Sequence, residues 1–387
     1  MKQAVPETTQ AVPEIIKVMH VISGLHVGGA EMMLYRLLSK SSLQKNSVVV
    51  SLSSGGELAE KIRQLDVEVI ELPRGSMINT FIRLNEQVQQ SQPNVLQSWL
   101  YRADLISAWV AWRTQTPLIW NVRQTEVAKV EQQTHIWWAQ RIAAKVSKWI
   151  PKKIIFCAEA ARISHEQIGY QQSKGVVINN GIDTHMLAFN ESLRSSQRRD
   201  WNVADDEILI GMVGRYDPLK NHARFIRVLQ NVIVKCSQQT VKGVLVGRGI
   251  HAENKDLMEL IRRNELHDKI ILIDELEDVL PVYCALDIHL LTSDNEGWPN
   301  VLAEAMSVSL PCVATDVGDV GVILEDQTVV IDKNNEDQMA KKVAELVQMS
   351  DKDRLKIGKL NREKIQQNSS LQSAVERYDD LYLSVAE

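Results

Sequence analysis

The sequence predicts an α/β protein made of two doubly wound parallel sheets that face each other across a cleft. Short apolar runs, of the kind that fill a sheet covered on both faces, alternate with longer segments whose apolar residues recur at helical spacing. That alternation stops at one polar, charged stretch, residues 190–206, and then starts afresh. A chain of 387 residues is also too long for one ordinary hydrophobic core, so two domains are the natural arrangement.

Taken in order, residues 1–14 hold QAVPE twice with few large apolar side chains, and read as a mobile tail. From Ile15 the run IIKVMHVISGLHVGGAEMMLYRLL reads as buried strand, glycine-bearing turn and helix. The same grammar recurs: SVVVSLSS with a helix from Glu57, VEVIEL with a helix near Thr80, and NVLQSWL with ADLISAWVAWR. PLIWNVRQ leads to a Trp-rich helix, KIIFCAE to ARISHEQIGY, and GVVINNG ends a first domain assigned to 15–188. The second domain, 189–369, opens on the polar stretch NESLRSSQRRDWNVADD. Its strands are ILIGMVGRY, VKGVLVGRG, KIILID, DIHLLTS and PCVATDVG; its helices include ARFIRVLQNVIV, AENKDLMELIRRNEL, the short VLPVYCAL and VLAEAMSVS. A last helical segment within 370–387 follows the completed second domain and is placed to pack back on the first.

An apolar share of 44% suits globular folding. No long apolar run is present, and MKQAVPETTQ lacks the apolar core of a signal peptide, so the protein is expected in the cytoplasm. Cys157, Cys236, Cys284 and Cys312 are far apart in apolar settings and read as core residues, not as zinc ligands or a redox pair. Net charge is −5, but residues 1–200 hold 23 Lys+Arg against 17 Asp+Glu and the remainder 21 against 32, which makes the halves +6 and −11. The first half is therefore the one expected to meet something anionic; a nucleic acid is not the expected partner.

In such sheets ligands bind outside the carboxyl ends of the strands. One loop there is DNEGWPNVLAEAM, 294–306, with carboxylates at Glu296 and Glu304. Pro299 suits a first helical turn, which would leave the amides of Asn300, Val301 and Leu302 facing the cleft, where an anion such as a diphosphate is attracted. A second is MVGRYDPLKN, where Gly214 ends a strand and Arg215 and Lys220 place two cations on one turn. Such a pair can neutralise a diphosphate leaving group without a metal, although cations on a loop are also ordinary solvated charges. A third is HVGGAE, whose Gly28 and Gly29 let backbone approach a ligand; VGRG, ending in Arg248 and Gly249, is a similar turn in the second half. Neither has the order of a dinucleotide or ATP motif.

Together, HVISGLHVGGAE, SWLYRADLISAWVA, PLIWNVRQ, VVINNGID, GMVGRYDPLKNH, VLVGRG, SDNEGWPNVLAEAM and PCVATDVGD resemble the retaining nucleotide-sugar glycosyltransferases of family four, which have the GT-B fold. The resemblance implies that Glu304 binds the donor's ribose, that Glu296 contacts the donor sugar near the reacting carbon, and that Arg215 and Lys220 bind its diphosphate. It implies that Gly28 and Gly29 let the first domain close over the substrates, and that backbone around Arg248–Gly249 and Glu275–Val279, including Val279 itself, holds the base. It also implies transfer with retention from a UDP- or GDP-linked donor to a saccharide acceptor in bacterial polysaccharide synthesis. No cofactor is expected, and with no D-x-D metal site of the other main glycosyltransferase fold no metal is either.

The chain departs from the family on the acceptor side. Where many members carry a histidine after the LIW strand, this one has Arg123, and Arg102 replaces the histidine of Y-H-A-D next to Asp104. Arg123 either binds an anionic acceptor group, such as a lipid diphosphate, or pairs with Glu126; the first reading is preferred. From Gln132 to Ala158 there is no acidic residue. On a helix Arg141, Lys145 and Lys148 share one face, and Trp138, Ile142, Val146 and Trp149 another. That segment suits either an anionic membrane surface or packing on the first sheet. The expected acceptor is a lipid-linked saccharide at the inner face of the plasma membrane. The rival readings are a nucleotide-sugar epimerase of similar fold, which needs acids and a histidine placed for proton abstraction, and a non-catalytic nucleotide-binding module.

Overall fold

The computed structural model describes residues 16–124 and 134–386; the proposed tail and Glu126 lie outside them. In the first half β1 (Val18–Ile22), α1 (Gly29–Leu38), β2 (Ser47–Ser51), α2 (Glu57–Arg63), β3 (Glu68–Glu71), α3 (Met77–Ser91) and β4 (Val95–Trp99) follow one another. They continue with α4 (Tyr101–Thr114), β5 (Leu118–Val122), α5 (Thr134–Val146), β6 (Lys153–Phe156), α6 (Glu159–Gln167) and β7 (Gly175–Val177). The connection is α7 (Glu191–Asp200). The second half runs β8 (Ile208–Val213), α8 (His222–Lys235), β9 (Val241–Val246), α9 (Lys255–Arg263), β10 (Ile270–Ile273), α10 (Leu280–Ala285) and β11 (Ile288–Leu291). It ends with α11 (Asn300–Ser307), β12 (Cys312–Thr315), α12 (Val320–Leu324), β13 (Val330–Ile331), α13 (Glu336–Gln348), α14 (Asp351–Asn368) and α15 (Leu371–Ala386).

The strands form two parallel sheets, ordered β3-β2-β1-β4-β5-β6-β7 and β10-β9-β8-β11-β12-β13. Strands β1, β2, β4, β5, β8 and β11 are buried along their whole length, which is why the sequence shows them as mostly apolar runs without a polar face. In each sheet the order reverses once, between β1 and β4 and between β8 and β11. Those switch points open crevices at the carboxyl ends of the strands.

Five named elements lie outside the sequence expectation: α7, α12, β13, α13 and α14. The polar stretch after Asn190, for which no element is expected from the sequence, is a helix: Asn190 caps it by accepting from the amides of Ser192 and Leu193, at 2.9 and 3.2 Å. Its arginines are structural, since Arg194 and Arg198 both grip Asp287, at 2.6 and 3.2 Å, and both bond the Ala285 carbonyl. Strand β13, with two residues, is too short to show a period.

Helix α15 belongs by sequence to the second half but packs into the first. Tyr378 and Tyr382 are fully buried beside Trp99 and His20, and Tyr382 bonds Gln97 of β4. Asp379 accepts from Ser41 and Ser42 beyond α1, at 2.6 to 2.9 Å. A single parallel bridge, Ile182 to Ser370, stitches the two points at which the chain crosses between halves. All four cysteines are free and buried. No described helix is long and apolar enough to cross a membrane.

Candidate active site

A cavity of about 630 Å³ lies where the two switch points face each other. Gly29, Glu31, Leu100, Arg123 and Asn180 line it from the first half, and Arg215, Lys220, Glu296, Trp298 and Asn300 from the second.

Local sequence builds the second-half wall. Asp217 accepts from the Leu219 amide at 2.9 Å, shaping a tight turn through Lys220, and Asn221, in the left-handed region at φ 51°, caps α8 through the Arg224 amide. The turn aims Lys220 at the loop after β11. Its Nζ lies 2.6 Å from Oε1 of Glu296, and the buried Ser293 hydroxyl donates to the same oxygen at 2.6 Å. The Lys220 and Glu296 side chains are only 20% and 11% exposed, so this is a partly desolvated, charge-assisted contact. Lys220 still has two N–H bonds for a ligand. Arg215 differs: it is 63% exposed and paired with Asp217 at 2.9 Å.

The loop bearing Glu296 rests on Gly318, in the left-handed region at φ 54°, where an added Cβ would meet the carbonyl oxygens of Glu296 and Gly297 at 2.3 and 2.5 Å. Asp319 ties the site to the other half. Its carboxylate accepts from the amides of Glu159 and Ala160 at 2.7 and 2.9 Å, capping α6, while its own amide donates to Gly297 at 2.9 Å. Burial pushes its pKa up against those two bonds.

Helix α11 begins one residue later than expected, with Pro299 extended as the N-cap and Asn300 first in the helix. The Leu302 amide is not available to a ligand: it donates to the Pro299 carbonyl at 3.1 Å and the residue is buried. Asn300 and Val301 remain as the amides ahead of the first helical bond. The Asn300 side chain reaches the cavity and accepts from Asn180 of the first half at 2.7 Å.

Glu304 does not share the wall with Glu296. It accepts from the Tyr283 hydroxyl at 3.1 Å and faces Arg36 of α1 at 3.8 Å. Burial raises its pKa and Arg36 opposes that. The expected base-binding groups are also engaged. Arg248 is held in a fork by Glu275, both bonds 2.8 Å, and the Gly249 amide donates to Asp274 at 3.0 Å. The Gly214 amide donates to Val246 at 2.8 Å, and Val279 is the N-cap of α10 and packs on the core.

The two glycines of HVGGAE divide their work. Gly29 opens onto the cavity, whereas a Cβ on Gly28 would strike the Glu31 carboxylate at 2.5 Å, so Gly28 makes room for that side chain. Glu31 lines the cavity, and burial raises its pKa. On the acceptor side only Arg123 of the three expected residues reaches the cavity. Its guanidinium bonds Asn180 and the Tyr378 hydroxyl and lies 5.8 Å over the Trp99 ring. Asp104 is a core residue: it is fully buried, accepts from the Ser98 hydroxyl at 2.6 Å, and burial holds its pKa well above the usual range. Arg102 points to solvent. Asp104 shares the buried face of α4 with Ser107, Ala108 and Ala111, at helical spacing.

Glu31, Leu100, Asn180, Ser293, Trp298 and Asp319 are site residues that sequence reasoning did not single out, although each lies in or beside a quoted segment. Among the described residues no three His, Cys, Asp or Glu side chains converge as a metal site would require.

Comparison with known proteins supplies the rest. Residues 194–364 match the model of the glycosyl transferases group 1, and residues 27–186 that of glycosyltransferase family 4. The chain is 24% identical over 311 residues to the glycosyltransferase EpsF of Bacillus subtilis (strain 168), covering 78% of this chain and 79% of that one. It is 22% identical over 360 residues to the capsular polysaccharide biosynthesis glycosyltransferase CapM of Staphylococcus aureus, with 88% and 90% covered. Among solved structures, Anabaena Alr3699/HepE in complex with UDP superposes with a TM-score of 0.81 at 18% identity, over 95% of this chain and 100% of that one. With each half matching one of the two models and the fold shared along nearly its whole length, the chain belongs to glycosyltransferase family four and has the GT-B fold.

Proposed function

We propose that this glycosyltransferase moves a sugar, with retention of configuration and without a metal, from a UDP- or GDP-linked donor to a lipid-linked saccharide in bacterial polysaccharide synthesis. Its place would be the cytoplasm, at the inner face of the plasma membrane. The observation that carries the reading is the contact of Lys220 with Glu296 on the cavity wall, beside the α11 N-terminus. It puts a cation, helix amides and a carboxylate within one ligand's reach. The name of CapM supports the pathway, and the UDP in the HepE structure favours uridine over guanosine.

In this reading Lys220, Arg215 and the amides of Asn300 and Val301 hold the diphosphate, and Glu296 faces the sugar. Glu304 serves the ribose after exchanging Arg36 or Tyr283 for its hydroxyls. The bond from the anomeric carbon to phosphate oxygen breaks, its electron pair going to the diphosphate. The acceptor oxygen bonds that carbon on the same face, and its proton passes to the departing phosphate. The positive groups meet charge as it develops on the leaving oxygen, and Glu296 stabilises the oxocarbenium-like carbon. Arg123, aimed into the cavity, suits an acceptor diphosphate.

The test is calorimetry with UDP and GDP, followed by incubation with labelled nucleotide sugars with and without EDTA. Binding of one diphosphate with EDTA-resistant turnover, and an α-linked product from an α-linked donor, supports the reading. Inverted product, or turnover abolished by EDTA, overturns its mechanism.

A further inference from the structure

We infer that the outward surface of α3, α4 and α5 is a docking face for an anionic lipid bilayer. Each helix buries one stripe against the first sheet: Leu84 and Val88 from α3, Ile106 and Val110 from α4, Ala143 and Ala144 from α5. In an ordinary doubly wound domain the opposite stripe is polar. Here it carries large aromatic and aliphatic side chains among the polar ones. On α4, Arg102, Leu105, Trp109 and Trp112 follow at helical spacing, and on α5 and the turn after it Trp138, Ile142, Lys145 and Trp149 do the same. Trp112 is 63% exposed, Trp138 57% and Trp149 84%; Ile78 and Ile82 of α3 are exposed as well. The Phe81 and Trp109 rings, 5.2 Å apart, join the α3 and α4 surfaces. The apolar face of the Trp-rich segment, which the sequence left between membrane and sheet, is thus not consumed by the sheet.

Charge selects the occupant. Arg102, Arg113, Lys145 and Lys148 are exposed around these rings and Arg141 partly so, while Glu86 is the single exposed carboxylate on the three helices among the described residues. A second copy of the chain, meeting this surface face to face, would set cation against cation. A bilayer with anionic headgroups instead takes tryptophan at its interface and lysine and arginine at its phosphates. The surface also adjoins the cleft. Leu100, just ahead of α4, and Ile136, in the first turn of α5, line the cavity, so a docked domain would hold the cleft mouth near the headgroups. The inference extends the lipid-linked acceptor reading by naming the surface that would meet the lipid; it does not depend on the donor chemistry.

The experiment is flotation of the full chain with phosphatidylcholine vesicles, with and without phosphatidylglycerol, at low and high salt. Two variants are compared, Trp112→Ala/Trp149→Ala and Lys145→Glu/Lys148→Glu, each checked for unchanged UDP affinity and for size by gel filtration. Wild type should float with the anionic vesicles at low salt and far less at high salt, and each double variant should partition at least roughly tenfold less. Wild type that stays with the soluble fraction, or variants that float like it, overturns the inference. A dimer that the tryptophan variant dissolves in the absence of vesicles reassigns the face to self-association and overturns it too. Flotation without UDP binding keeps the inference and removes the uridine reading alone.

Discussion

Removing the ammonium group in Lys220→Ala separates two roles that one contact combines. The Lys220–Glu296 pair at 2.6 Å has a gross Coulomb energy of about 6 kcal/mol at an effective dielectric of 20, most of it offset by taking both groups out of water. What remains for a charged hydrogen bond is about 1.5–3 kcal/mol. Lys220 spends one N–H on Glu296, so a bound diphosphate meets the other two, and losing that contact should weaken UDP roughly 10- to 150-fold. Glu296→Gln keeps the shape of its partner and leaves the diphosphate contact intact, so UDP affinity should change by less than roughly threefold while turnover falls. The double variant should show the full loss seen in Lys220→Ala. Titration calorimetry with UDP on the four proteins, with melting curves to confirm folding, measures all of this. A Kd for Lys220→Ala within about twofold of wild type, or a double variant that recovers wild-type affinity, would refute the assignment of Lys220 to the diphosphate.

Arg215→Ala should cost less donor affinity than Lys220→Ala in the same titration, about 1 kcal/mol or below, because Arg215 is mostly exposed and already paired with Asp217. Ser293→Ala should lower kcat roughly tenfold with UDP affinity unchanged, since it frees the carboxylate that Ser293 orients; Ser293→Thr, which keeps the hydroxyl, should recover part of the loss. Gly318→Ala should leave a folded protein with kcat reduced by more than roughly a hundredfold, because its Cβ pushes the Glu296 backbone aside; near-normal turnover would show that the loop yields. His289 is fully buried with no hydrogen-bond partner on either ring nitrogen, and burial lowers its pKa from 6.5 to about 3. The unfolded chain therefore binds the extra proton first, and stability is lost as pH falls from 6.5 toward 3, by on the order of 3 kcal/mol at pH 4.5. His289→Leu should flatten that part of the acid limb in urea titrations run across this range.

The alternation of strands and helices was legible because its periods are local, and so was the loop that carries Glu296. What lay hidden depends on partners far along the chain. Lys220 looks like a free cation until folding brings Glu296 to it, and nothing near Asp319 shows that it caps a helix in the other half. Asp104 resembles an acceptor ligand by its neighbours, but it lies on the buried face of α4 and is met by the Ser98 hydroxyl of β4, a partner that its neighbours do not show. The stretch after Asn190 shows only polarity and charge in the sequence, and is a helix whose arginines are received by Asp287 and nearby carbonyls far along the chain.

The place of α15 has a consequence for biosynthesis. Tyr378 and Tyr382 complete the interior of the half that leaves the ribosome first. That half must wait, with the seat for these tyrosines uncovered, until the other half has been translated and α15 follows it, so the docking of α15 is the event that seals it. Loss of the segment that carries Tyr378 and Tyr382 would therefore damage the first half of the protein rather than the second.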